Sequence, residues 1–209
     1  MKTREAYSDW SATYDQDRNL TRDLDQTVTK NILANLRCKS VLEIGCGTGK
    51  NTALLAEIGE RVWAFDFSQA MIEKAKKKLR LKNVTFVVAD VIQRWPCKEE
   101  SVDLISCNLV LEHIQDLSFI FAEALRVLVK GGRFFVCELH PFRQYQGTRA
   151  NFQRDQEKTE IEAFVHHVSD FTDAAATNGL TLVNMKEWWH KEDQDQPPRL
   201  ISFMFEKQG

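Results

Sequence analysis

Residues 41–49 read Val41-Leu42-Glu43-Ile44-Gly45-Cys46-Gly47-Thr48-Gly49. An apolar strand runs into a loop with glycine at alternate positions. Glycine lets the backbone turn sharply and lets a ligand approach with no Cβ in the way. A helix from about Lys50 through Ile58 follows and turns its first free N–H groups toward that ligand. Strand, glycine loop and helix form the phosphate-or-nucleoside corner of a doubly wound α/β domain.

Two nucleoside cofactors fit such a corner, and the spacing separates them. A dinucleotide fingerprint reads G-x-G-x-x-G/A, with a pyrophosphate close to the helix start. Here the third glycine comes one position early, and Lys50 occupies the would-be third site. Glu43, on the strand itself, would repel a pyrophosphate but suits a cationic ligand bearing an ammonium or sulfonium. A second carboxylate, Asp66, ends the apolar run Val62-Trp63-Ala64-Phe65, about 20 residues on, where a ribose diol is expected to be gripped.

Further stretches follow in order. Phe86-Val87-Val88-Ala89-Asp90-Val91 reads as a third strand with an acid at its tip, and Ser101–Asn108 as a fourth. Leu125-Arg126-Val127-Leu128, then Gly131-Gly132, reads as the helix and turn before a fifth. Together with the glycine loop, these resemble the class I S-adenosylmethionine-dependent methyltransferases over most of the chain. The resemblance implies a Rossmann-like, doubly wound seven-stranded sheet with helices on both faces, strand order 3-2-1-4-5-7-6, strand 7 antiparallel. It implies one methyltransferase domain over 1–209, with residues 1–37 as an N-terminal helical lid and 140–168 as a substrate cap. S-adenosylmethionine is the implied cofactor and S-adenosylhomocysteine the product. Gly45, Cys46, Gly47, Thr48 and Gly49 form its loop, with Glu43 supplying charge and anchoring. Asp66 is expected to accept the ribose hydroxyls, Phe67 and Met71 to cover one adenine face, and Asp90 and Val91 to bind the adenine edge. Tyr14 of the lid is expected near the methionine end, and Asn108 at the end of strand four is expected among the cofactor-binding residues.

The acceptor side is read from position. Open α/β sheets bind ligands beyond the carboxyl ends of their strands, which selects His113 after strand four and His140 and Tyr145 after strand five as candidate catalytic groups. A histidine titrates near pH 6.5 when unperturbed and serves as a base at neutral pH. The cap mixes aromatics (Phe142, Tyr145, Phe152, Phe164) with Arg143, Arg149 and Arg154, a composition that suits a small-molecule acceptor and an ordinary polar lid equally. Two other readings stay open: a non-catalytic sensor or scaffold that keeps the cofactor site, and an NAD-dependent oxidoreductase.

Composition narrows the partners. The chain has 209 residues, 43% hydrophobic, and a net charge of −2. That balance offers no basic surplus for a nucleic-acid footprint, and Lys74–Lys78 reads as a solvated helix face. The five cysteines are odd in number and show no C-x-x-C spacing, so neither a disulfide framework nor a metal site is expected. No run approaches the ~18 apolar residues of a membrane span, and Met1–Arg4 does not resemble a signal peptide. The expectation is a cytoplasmic enzyme, monomer or homodimer, with no membrane or nucleic-acid partner.

Residues 1–37 show helical spacing broken near Asp15–Asn19, and Ser169 is placed to cap a helix closed by Asn178-Gly179.

Overall fold

The computed structural model describes residues 3–149, 151–154 and 157–209, without side chains over 152–159, so Phe152 and Arg154 lie outside the described side chains. Two helices, α1 (Thr3–Trp10) and α2 (Leu20–Leu33), precede five strands with three α-helices among them. These are β1 (Cys38–Ile44), α3 (Thr52–Ile58), β2 (Gly59–Asp66), α4 (Gln69–Lys78), β3 (Val84–Val88), β4 (Val102–Asn108), α5 (Leu117–Val127) and β5 (Leu128–Leu139). A short α6 (Pro141–Tyr145) and a hairpin, β6 (Asn151–Arg154) with β7 (Glu157–Glu160), follow. The chain closes with α7 (Val168–Thr177), β8 (Leu180–Trp188) and β9 (Leu200–Lys207).

The main sheet has seven strands in the order β3-β2-β1-β4-β5-β9-β8. The first five are parallel, and β9 runs antiparallel to both β5 and β8. This is the expected 3-2-1-4-5-7-6 order once the separate hairpin is set aside. The hairpin was not anticipated: Gln153-Arg154 and Glu157-Lys158 carry no apolar alternation and no Asn-Gly turn to announce it.

The strands divide their side chains by parity, because successive residues face opposite sides of a sheet. Leu42, Ile44, Ile105, Cys107, Phe134 and Phe203 pack on one side with α5 and α7. Val41, Val62, Leu104, Phe135 and Met204 pack on the other with α2 and α3. Both sides are covered, which is why the strands read as nearly unbroken apolar runs. Local capping sets the helix starts. Asn19 accepts N–H bonds from Thr21 and Arg22, both at 3.0 Å, to open α2. The N-cap of α7 lies two residues earlier than expected, at His167 rather than Ser169, and Asp170 accepts the His167 N–H at 2.8 Å.

Candidate active site

The parallel register aligns the strand tips. Ile44 lies beside Phe65 and Cys107, so the glycine loop, Asp66 and Asn108 emerge together at one edge of the sheet. Residues of α1 and Tyr14 complete the wall of a cavity of about 630 Å³ there. Every predicted cofactor residue lines this cavity except Gly49. Gly49 serves packing instead: at φ 83° a Cβ there would lie 2.5 Å from Leu79 Cδ1, at the end of α4. Gly45, at φ 69°, has no room either, with Val110 Cγ2 2.1 Å from a Cβ. Gly47 differs, because a Cβ on it would meet nothing within 4 Å. Its backbone faces open space that a ligand can use.

Buried carboxyl groups crowd this cavity. Asp66 accepts the N–H of Gly47 and that of Ser68, each at 2.8 Å, and so clamps the loop to the tip of β2. Burial lifts its pKa to about 6 against the pull of those two N–H groups. Glu43 accepts from Thr52 Oγ1 at 2.5 Å. Burial pushes it to about 8; Thr52 opposes the rise, and nearby Asp25 and Asp66 add to it. Asp25 of α2 accepts from Asn108 at 2.7 Å and Asn51 at 2.8 Å, and burial raises its carboxyl too. Asp90, at the β3 side, pairs at 2.8 Å with Arg4, whose guanidinium also lies 5.7 Å from the centroid of the Phe67 ring.

The N-terminal segment is tied to this site by α4. Lys74 Nζ donates to the Ala12 carbonyl at 2.8 Å, and Lys78 reaches Asp15 at 3.1 Å and Thr48 at 3.3 Å. Thr48 donates in turn to Asp15 at 2.6 Å. The reading of Lys74–Lys78 as a merely solvated face is therefore corrected, since two of these lysines reach over to residues 12–15.

A second cavity of about 510 Å³ adjoins the first. Tyr7, Tyr14, Arg22 and Leu109 line both and form the partition. Leu109 holds φ at 55°, a left-handed conformation that costs a non-glycine residue roughly 1–3 kcal/mol. Arg22 is buried without an ion-pair partner among the described residues. Its guanidinium lies 4.0 Å from the Tyr14 ring centroid, and its Nε has no acceptor. Tyr7 Oη lies 2.8 Å from His113 Nε2, and His113 Nδ1 lies 2.8 Å from the Glu162 carbonyl. A carbonyl only accepts, so Nδ1 carries the ring proton and Nε2 accepts from Tyr7. Glu112, buried beside them, lines the second cavity, and its Oε2 has no hydrogen-bond partner among the described residues.

Two candidate catalytic residues lie elsewhere. His140 caps α6 and bonds Glu187 at 3.0 Å, and Tyr145 is exposed and bonds His167 at 2.5 Å. Neither lines either of these two cavities, because the chain leaves β5 toward the edge strands rather than toward the glycine loop. His113 does line the first cavity, but Tyr7 stands between it and the second. Tyr7, Arg22, Asp25 and Glu112 were missed by sequence reading. One signal was present: Asp25 follows Leu24 and Thr29 follows Val28 on the buried stripe of α2, where a solvated acid has no place.

Residues 42–136 match a family model described as a methyltransferase domain. A demethylmenaquinone methyltransferase of Clavibacter sepedonicus is 31% identical over 63% of this chain and 56% of its own length. A malonyl-[acyl-carrier protein] O-methyltransferase of Hamiltonella defensa is 30% identical over 61% of this chain and 48% of its own. The chain thus spans about half the length of these two curated relatives. Among solved structures, an S-adenosylmethionine-dependent methyltransferase from Clostridium acetobutylicum aligns with a TM-score of 0.72 at 18% identity, covering 96% of both chains. The N-methyltransferase NodS from Bradyrhizobium japonicum, in complex with S-adenosyl-L-homocysteine, aligns at 0.75 and 18% identity over 99% of both. The chain is thus similar to methyltransferase domains in sequence over residues 42–136 and to S-adenosylmethionine-dependent methyltransferases in fold over nearly its whole length.

Proposed function

We propose that the chain transfers a methyl group from S-adenosylmethionine to a small-molecule acceptor held in the second cavity. The observation that carries this reading is one wall of the first cavity, where Glu43, Asp66 and Asp90 surround the open floor above Gly47. Ionising the buried Glu43 and Asp66 is costly, as their raised pKa values show, and a positively charged ligand relieves that cost. The donor supplies an electrophilic methyl on a sulfonium and leaves as a thioether. Asp66 would accept the ribose hydroxyls with its remaining lone pairs, Phe67 and Met71 would cover adenine, and Asp90 would exchange Arg4 for the adenine amino group. Arg22 suits the methionine carboxylate, and Asp25 and Glu43 its ammonium side.

The protein's part in such a displacement is largely positional. Holding acceptor, methyl and sulfur in line is worth roughly 7–11 kcal/mol, and the shared partition of Tyr7, Tyr14 and Leu109 stands where the two bound molecules would meet. The relatives' names point to different acceptors and select none for this chain. Calorimetric titration with S-adenosylmethionine, S-adenosylhomocysteine, NAD and NADP tests the donor. Binding of the adenosyl compounds alone is expected, and binding only of the nicotinamides would sink the reading. Tight binding with no methyl transfer to any acceptor would favour a sensor.

A further inference from the structure

Resting on that donor assignment, we propose that the second cavity takes a primary amine carrying an anionic group, with the nitrogen held between Tyr7 Oη and the Glu112 carboxyl. Both groups belong to the cavity wall. The Tyr7 hydroxyl gives its hydrogen to His113 Nε2, which leaves the phenol oxygen free to accept. Glu112 is 6% exposed, its Oε1 lies 3.9 Å from His113 Nε2, and its Oε2 has no partner among the described residues. A buried acceptor left unpaired is costly, so a ligand that donates to it is favoured. Two acceptor residues in the wall of one cavity call for a nucleophile with at least two hydrogens. A hydroxyl or thiol has one, a carboxylate or phosphate has none and is repelled, and an amine has enough. Burial raises the Glu112 pKa, and an arriving ammonium would restore its charge.

The far end is set by the arginines. Arg18 and Arg199 are matched by Glu192 and Asp193. Arg149 lines the same cavity, is exposed, and has no side-chain partner among the described residues. An amine alone would leave the Arg149 guanidinium without an anion to meet. An amine with a carboxylate or phosphate at its other end satisfies both walls.

The proton has a route. An ammonium nitrogen has no free pair, so one proton must leave first. It passes to Tyr7 Oη as the phenol's own proton moves to His113 Nε2, while Nδ1–H stays on the Glu162 carbonyl. The freed nitrogen pair then forms the bond to the methyl carbon as the carbon–sulfur bond breaks, and that pair remains on sulfur. The products are a methylammonium, a thioether and an imidazolium, which returns its proton to solvent. Tyr7 and Glu112 touch the substrate in this scheme, and His113 acts through Tyr7 as a positioning residue.

The test is calorimetric titration of a short ω-amino carboxylate series, the matching ω-hydroxy carboxylates and the matching uncharged-tail amines. Each is titrated into the protein with and without S-adenosylhomocysteine. Amino carboxylates should bind at least about tenfold tighter than either control, the worth of one charge-assisted bond. Glu112→Gln should erase the preference for amine over hydroxyl and leave S-adenosylhomocysteine affinity within about twofold. Glu112→Asp, which keeps the charge, is the second variant should the first not fold. Where turnover is seen, His113→Gln should lower kcat and leave the KM of the amine unchanged, a split that loss of packing would not produce. Equal affinity for the hydroxy acids overturns the amine; equal affinity for the uncharged-tail amines overturns the anion. Failure to bind S-adenosylhomocysteine removes the donor reading instead, and the amine preference is still judged on the protein without it.

Discussion

Glu43→Gln offers a direct measure of how much charge the cofactor cavity withholds from water. In the folded chain burial carries this carboxyl from its ordinary 4.5 to about 8. Between those values the unfolded chain has lost the proton and the folded chain keeps it, so folding must retain a proton that water would take. Stability from this group is fully present below pH 4.5 and drains away as pH rises toward 8, at about 1.4 kcal/mol per pH unit. From pH 5 to pH 7 the loss is roughly 2.5–3 kcal/mol, which for a chain of this size moves the melting temperature by about 5–10 °C. Glutamine keeps a carbonyl oxygen for the Thr52 hydroxyl but does not titrate, and its amide N–H groups go unpaired at a cost of about 1–3 kcal/mol. The variant should therefore be less stable than the parent at pH 5, with the gap closing or reversing by pH 8. Chemical denaturation at several pH values reads the difference between the two curves, in which slopes from other raised carboxyls largely cancel. Parallel curves would mean that Glu43 is ionised and solvated, and the electrostatic account of the cavity would fail with it.

Other outcomes can be checked independently. Asp66→Ala should weaken S-adenosylhomocysteine binding by tens of fold or more, since two charge-assisted hydroxyl bonds are each worth about 1.5–3 kcal/mol; an unchanged dissociation constant would remove Asp66 from the ribose role. Gly45→Ala should destabilise the fold, because the new methyl meets Val110 Cγ2 at 2.1 Å and the φ of 69° disfavours any Cβ; thermal melts of the single variant and of the pair with Val110→Ala should show partial recovery in the pair. Asn19→Ala should cost about 1 kcal/mol by removing the cap of α2, read by urea denaturation, and no loss would mean the cap bonds are replaced by water.

The sheet was legible because its evidence is local. Apolar runs such as Val62–Phe65, glycines at 45, 47 and 49, and acids at strand tips are all contiguous signals, and doubly wound topology then follows from right-handed crossovers. The proposed acceptor site was not legible in this way. Glu112 and His113 are adjacent in sequence, yet their roles depend on Tyr7, which arrives from the opposite end of the chain. His140 and Tyr145 occupied a favourable place relative to β5, but position after a strand says nothing about which way the chain turns next. Their partners, Glu187 and His167, come from segments that no local pattern links to them. Likewise the stripe Lys74–Lys78 looked solvated because the groups it meets, Ala12 and Asp15, sit in a turn with no periodicity of its own.

One stretch of backbone, from Tyr7 to Arg22, roofs the donor's chamber and at the same time walls the neighbouring one. Its fastenings, Arg4 to Asp90 and Lys78 to Asp15, are half-exposed ion pairs, each worth little and easily screened. If donor entry displaces that roof, the neighbouring chamber regains a complete wall only after it settles back. Catalysis on this plan follows a compulsory sequence, donor on first and its thioether off last, and product-inhibition kinetics would reveal it as competition between the two adenosyl compounds alone.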